Sequence, residues 1–368
     1  MKIGFLFVFL LLQACQSQES LPTVTETPSG WEKQNSGVSI ALGGAFFLNE
    51  KTGWISGNKG VILHTTNGGN HWTPQHTGTD KLLVSIFFTD SKQGWVVGDT
   101  ETVMQTSDAG KHWTLRDISI SPANASVPSK DSAPPIRKRK QDLTGLFFIN
   151  AQRGFIIGTK GFFISTKDGG QHWETVNLPS YETLTSIFFV SPSQGWITGD
   201  GGAIFYTEDG GTLWTRQKTG TIKDLHRVFF VNAKLGFAVG ANGTILATKN
   251  SGQHWEPKNS GVPTFLLGLF FIDEKRGWIS GAAGTILHTT DGGATWTQQP
   301  SGTIEFLINI VFANKEDEKE IGKGIGQEIG QEVGQEIGWI VGTKGTLLHT
   351  KKGGISPISL SPIPHNLR

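Results

Sequence analysis

The sequence predicts an all-β fold, a seven-bladed β-propeller closed by an N-terminal strand that completes the last blade. Three observations carry that expectation. One phrase recurs, seen in near-copies as FFLNEKTGWISGNKGVILHTTNGGNHW from Phe46 and FFIDEKRGWISGAAGTILHTTDGGATW from Phe270. It starts again at Phe87, Phe147, Phe188 and Phe229, and in degenerate form at Val311. The starts lie 41 residues apart, with 60 only between Phe87 and Phe147, and self-similarity at such a period marks a propeller or a solenoid. Within each unit the apolar runs are short and separated by turn residues, which gives four strands and no helical period, and so a blade. The third observation is the stretch WEKQNSG at residues 31–37. It copies the closing phrase of a unit, as in WTPQHTG from Trp72, WEPKNSG from Trp255 and WTQQPSG from Trp296, yet no unit precedes it. The seventh unit in turn ends near Gly354 with no closing Trp. A strand at the N-terminus that supplies the missing outer strand of blade seven explains both, and leaves no open sheet edge.

In chain order, residues 1–14 read as a lipoprotein signal peptide. Lys2 precedes the apolar run IGFLFVFLLL, which is shorter than the roughly 20 residues a spanning helix needs. LQAC follows, with Ala14 before Cys15, the one cysteine of the chain. Cys15 is therefore the expected lipidation site, and internal disulfides are excluded. Residues 15–29 are a polar tether, 30–354 the propeller and 355–368 a Pro-broken tail. Two insertions interrupt the propeller: 119–141, Pro- and Ser-rich with RKRK near its end, and 316–336, with a GQE(I/V) repeat whose glycines disfavour a helix. The expected location is outside the cytoplasm, lipid-anchored to a bacterial membrane and facing the periplasm, or the thylakoid lumen in a photosynthetic source.

Each of the first six units carries a turn of the form T-x-D-G-G-x-x-W, while in the seventh Lys352 replaces the Asp and no Trp follows. The turn Asp or Asn (Asn67, Asp108, Asp168, Asp209, Asn250, Asp291) accepts hydrogen bonds from turn N–H groups. The Trp that opens the outer strand (Trp31, Trp72, Trp113, Trp173, Trp214, Trp255, Trp296) packs across the hairpin. These residues are structural.

Composition and motifs exclude several classes. With a net charge of +1 in 368 residues nothing favours nucleic acid as a partner. A sialidase needs an arginine cluster and a Tyr nucleophile, and other glycosidases two carboxylates about one bond. The two tyrosines are Tyr181 and Tyr206, and Tyr206 reads as a packing residue in a slot held elsewhere by Leu or Ile. His64, His288 and His349 share one slot on different blades, and His71, His112, His172 and His254 another, so neither set converges on a metal. No catalytic residue, cofactor or metal is expected. What remains is binding. The first strand of a blade lines the central channel, and the residue two before the FF pair varies: Gly44, Ser85, Gly145, Ser186, Arg227, Gly268 and Asn309. Ser85, Ser186, Arg227 and Asn309, with Arg137 and Arg139 of the basic insertion, are the candidate partner contacts of a monomer.

The turn resembles the BNR or Asp-box repeat, S/T-x-D-x-G-x-T/H-W. The longer phrase, FF-x6-GW-x2-G-x2-G-x-I-L-x-T-x-D-G-G-x-x-W, resembles the photosystem II stability and assembly factor family over roughly residues 30–354. That resemblance implies a seven-bladed propeller of the thylakoid lumen, a non-enzymatic chaperone that binds an early reaction-centre subunit, and a lipoprotein in the cyanobacterial members. The family's arginine-rich contact patch has no residue-by-residue counterpart here. Two other readings stay open: a general protein-binding envelope lipoprotein of a non-photosynthetic bacterium, and an Asp-box glycosidase or glycan-binding protein.

Overall fold

A computed structural model describes residues 30–118, 140–178, 180–313 and 336–354. The signal peptide, tether and tail read from the sequence lie outside the described residues, as do Cys15, Arg137, Arg139 and nearly all of both insertions. Among the described residues are seven antiparallel sheets of four strands. Blade one comprises Leu42–Phe47, Gly53–Gly57, Ile62–Thr65 and Thr73–Gln75, and the later units repeat this order. The innermost strands run Leu42–Phe47, Leu83–Phe88, Leu143–Phe148, Leu184–Phe189, Leu225–Phe230, Leu266–Phe271 and Leu307–Phe312. Each contacts the next around the ring, and the last returns to the first.

The ring closes as the repeat count requires. Blade seven has the order Gly30–Lys33, Leu347–Gly354, Gly338–Gly342, Leu307–Phe312, with the N-terminal strand outermost and antiparallel to Leu347–Gly354. Two side chains clamp that strand to its neighbours. Trp31 Nε1 donates to Gln299 Oε1 of blade six at 3.0 Å, and Gln34 Nε2 donates to the Gly68 carbonyl of blade one at 3.1 Å.

The blades adhere through one aromatic arrangement used at every seam. The second Phe of each FF pair lies against the G-W or G-F aromatic of the preceding blade, as Phe88 on Trp54 (3.7 Å), Phe230 on Trp196 (3.4 Å) and Phe47 on Trp339 (3.6 Å). The box Trp of its own blade then meets it edge-on, as Trp113 meets Phe88 at 6.0 Å and Trp255 meets Phe230 at 5.9 Å. Trp31 occupies the same place against Phe312, at 6.1 Å and 74°. The edge-on contacts suit the ring quadrupoles, and both kinds of pair bury large apolar area. The glycine before each such aromatic makes room for the Phe: a Cβ on Gly94 would stand 2.5 Å from the Phe88 ring.

The boxes are turn locks. In blade two, Thr106 Oγ1 donates to Asp108 Oδ1 (2.9 Å) and accepts from the Gly110 amide (2.8 Å), while Asp108 Oδ1 also accepts from the His112 amide (2.9 Å). His112 Nδ1 pairs with Asp108 Oδ2 at 2.6 Å, and hydrogen bonding from that side chain holds the Asp108 carboxyl down to about 2. Where the preceding blade carries a Gln, that blade grips the box turn. Trp54 Nε1 and Gln75 Nε2 both donate to the Ala109 carbonyl, and Trp113 Nε1 donates back to Gln75 Oε1. The Gln three after the box Trp thus links two blades.

Candidate functional site

The axis of the ring is lined by the seven inner strands, and each starts with a bulge: Leu225 pairs with Gly240 but Arg227 with Val239. A bulge turns a side chain out of the regular alternation. Here three residues at that point reach the carbonyl of the next inner strand. Thr144 Oγ1 donates to Leu184 O, Thr185 Oγ1 to Leu225 O, and His226 Nδ1 hydrogen-bonds Leu266 O at 2.9 Å.

The residue after the bulge is the slot read as a channel lining. Gly44, Gly145 and Gly268 are buried there, with Ser186 and Asn309. A Cβ on Gly268 would lie 2.9 Å from the Ile310 amide and still closer to Ser280 Oγ, so the small residue permits close contact between blades six and seven. Ser85 and Arg227 alone in this slot are partly exposed. Arg227 leans across the glycine of blade six: its Nη2 donates to Asn309 Oδ1 of blade seven at 2.6 Å. Burial pushes its guanidinium down to about 10, and no described carboxylate pairs with it.

Further along the same strands the first Phe of each FF pair forms a collar. Phe46, Phe87, Phe147, Phe188, Phe229 and Phe270 succeed one another at 4.9 to 5.9 Å, and Val311 takes the seventh place. All but Phe229 are half-buried. The collar lies toward the face that carries the box turns, while Arg227 lies toward the opposite face, where the loops that enter the inner strands meet the turns between second and third strands, as Gly60 N meets Lys81 O. On that opposite face the residue three before the inner strand is polar in blades one to three, Ser39, Asp80 and Lys140, and apolar in blades four to seven: Tyr181, Ile222, Pro263 and Ile304. Tyr181, Ile222 and Ile304 are 87%, 89% and 73% exposed.

Tyr206 differs from its reading. It pairs with Trp196, the slot that holds His64, His288 and His349 in other blades, not a Leu or Ile slot. The side chain lies against Trp196 at 5.1 Å, tilted by 36°, and its hydroxyl accepts from Gln194 Nε2. The expected alignment is off by one residue, which in a strand exchanges faces, although Tyr206 precedes Thr207 as His64 precedes Thr65. The three histidines likewise lie against the Trp of their own blades, His64 and His288 stacked at 4.7 and 4.6 Å and His349 tilted at 5.1 Å. No group of three or more His, Cys, Asp or Glu side chains among the described residues could hold a metal.

Sequence reasoning named Arg227 and Asn309 but not their link, and it missed the inter-blade Gln, the Phe collar and the apolar arc. The Gln was in view in the closing phrases WEKQ, WTPQ, WTRQ and WTQQ. The arc could have been found by aligning units on the Leu that opens each inner strand.

These features define a class, a closed seven-bladed propeller of Asp-box repeats with a cation and an aromatic collar on its axis. The family model described as Photosynthesis system II assembly factor YCF48 matches residues 71–131, 135–224, 218–303 and 262–362, more than half of the chain. The protein belongs to that family. Among solved structures it is similar to that of YCF48 bound to D1 peptide, with 21% identity, a TM-score of 0.66, and coverage of 90% of this chain and 99% of the other. YCF48 from Cyanidioschyzon merolae follows at 19% identity and a TM-score of 0.64, with 87% and 98% coverage. The GH74 enzyme of Niastella koreensis, at 11% identity and 0.63, covers 89% of this chain, which spans 54% of that protein. At these identities the structural likenesses concern the fold. No curated protein sequence matches the chain.

Proposed function

We propose that this protein is a non-enzymatic, membrane-anchored propeller that binds a protein partner, and that the partner is a photosystem II reaction-centre subunit during assembly. Family membership across more than half of the chain carries the reading. It is supported by the similar structure of YCF48 bound to D1 peptide, and by the way the box carboxylates and Tyr206 are taken up in turns and packing. The anchor is the lipid on Cys15, outside the cytoplasm, and the protein acts as a monomer.

The test uses the mature chain with Cys15→Ser, immobilised and exposed to detergent-solubilised membranes of its own host, with the captured proteins identified by mass spectrometry. Enrichment of reaction-centre subunits or their assembly intermediates is expected. Enrichment of unrelated envelope proteins or of glycans alone overturns the photosystem reading. Radiolabelled fatty acid incorporated by the wild type and lost in Cys15→Ser tests the anchor.

A further inference from the structure

The asymmetric half of the axis has a cation, an exposed apolar arc and no internal counter-ion among the described residues, and those three facts constrain what it holds. Six of the seven slots are filled by Gly, Ser or Asn. The exception, Arg227, is half-buried and spends one N–H on the neutral Asn309. A guanidinium has five donors in a planar fork that matches a carboxylate. An enclosed charge without a partner is unfavourable, and proteins as a rule pair such charges. Asn309 orients the fork without neutralising it. The Phe collar beyond it is apolar, so an anion entering from the arc face is stopped at the level of Arg227.

The arc supplies the second half of the recognition. Ile222 and Ile304, on the loops leading into blades five and seven, are almost wholly exposed. Pro263 between them is exposed, and Phe265 and Phe306 on the same loops are half-buried. Blades five and seven are also the two that Arg227 and Asn309 join. Exposed aliphatic and aromatic side chains clustered at one mouth mark an interaction surface.

We propose that the channel mouth of blades five to seven binds an apolar peptide segment by a carboxylate, which Arg227 holds while the preceding apolar residues lie on Ile222, Pro263 and Ile304. The carboxylate belongs either to the chain end of the partner or to an Asp or Glu side chain. This rests on the protein-binding reading above and specifies its chemistry.

The experiment uses the full chain with Cys15→Ser and three fluorescent nonapeptide pools rich in Leu, Ile and Phe: one with a free C-terminus, one amidated but carrying a single Asp, and one amidated and free of acidic residues. Binding is followed by anisotropy. The neutral pool is expected to bind about tenfold more weakly, or worse, than one of the carboxylate pools, as loss of a charge-assisted hydrogen bond implies. Which of the two binds identifies the source of the carboxylate. Arg227→Gln removes the preference and Arg227→Lys, which keeps the charge and loses the fork, retains part of it. Circular dichroism confirms that each variant is folded, and Asn309→Ser, with Arg227 present but unheld, gives an independent weakening. Equal binding of all three pools, no binding of any, or a preference that survives Arg227→Gln overturns the proposal. Partner capture unchanged in Arg227→Gln removes this inference and leaves the protein-binding reading standing, whereas a wild type that captures no protein removes that reading itself.

Discussion

Trp31→Ala tests whether the N-terminal strand closes the ring. The indole is 3% exposed, meets Phe312 edge-on and donates to Gln299 of the neighbouring blade. A buried indole removes about 150–250 Å² from water, which at about 25 cal/mol per Å² amounts to about 4–6 kcal/mol, with about 1 kcal/mol more for the hydrogen bond. Extended-chain areas overstate burial, and measured Trp truncations fall at about 3–5 kcal/mol, so about 4 kcal/mol is expected. Trp255→Ala is the matched control. Trp255 is 4% exposed, meets Phe230 at 5.9 Å and donates to Gln217, so its local loss is the same. The two differ in connectivity. The strand of Trp255 is joined to its own blade by a box turn, while that of Trp31 meets Leu347–Gly354 through noncovalent contacts alone. Urea denaturation should therefore show similar losses, and hydrogen exchange should show Leu347–Gly354 deprotected in Trp31→Ala and protected in Trp255→Ala. A loss under about 1 kcal/mol for Trp31→Ala, or unchanged protection, beside a full loss for Trp255→Ala, refutes closure by this strand.

Three further outcomes are expected. Arg116 stands where blades one, four, six and seven carry the linking Gln, and the buried Trp173 Nε1 of the next blade lacks an acceptor; Arg116→Gln should supply one and raise stability by about 1 kcal/mol in urea, and a decrease would speak against the Gln as the link. Burial holds His349 down to about 4 from 6.5, so the native state binds fewer protons than the unfolded state in that interval. Its contribution is whole above about 6.5 and is lost as pH falls toward about 4. His349→Gln, copying Gln105 of blade two, should flatten that acid limb of Tm against pH, and an unchanged limb would exclude the histidine as its source. Asp99 has the opposite sign: burial, then Asp142, raises it from 3.8 to about 6, so its contribution is present below 3.8 and lost as pH rises through about 6. Asp99→Asn, copying Asn58 of blade one, should raise Tm at about pH 7.5 and leave it nearly unchanged at about pH 4; equal shifts at both would rule out ionisation as the cause.

What repeats seven times was legible, because a repeat exposes itself by its period. Blade number, box turns and the closing strand all follow from recurrence of FF, GW and the box Trp. The half-site was not, because contacts between blades are fixed by rotation around the axis. Arg227 and Asn309 are 82 residues apart, and what joins them is a glycine in the blade between. Tyr206 failed for a smaller reason. A one-residue offset decides whether the ring meets the Trp of its blade or the core, and counting back from the box, where Tyr206 precedes Thr207 as His64 precedes Thr65, gives the correct slot.

The repeated geometry of the seams and the irregular axis divide the work between them. An aromatic pair, stacked at six junctions and tilted at the seventh, and an edge-on Trp stand at each blade junction, so no junction must be specialised for the ring to hold. A residue that varies from blade to blade at one radial position is then released from the demands of folding. At the slot where Gly44, Gly145 and Gly268 allow close approach, a long cation is the least compatible choice for packing, and its presence beside a neutral Asn has no account in stability. The same holds for the apolar tips Tyr181, Ile222 and Ile304, which bury little in the chain itself. Both departures fall on one side of the ring and on one face, and it is there, not in the repeated boxes, that substitutions should change what is bound without changing whether the protein folds.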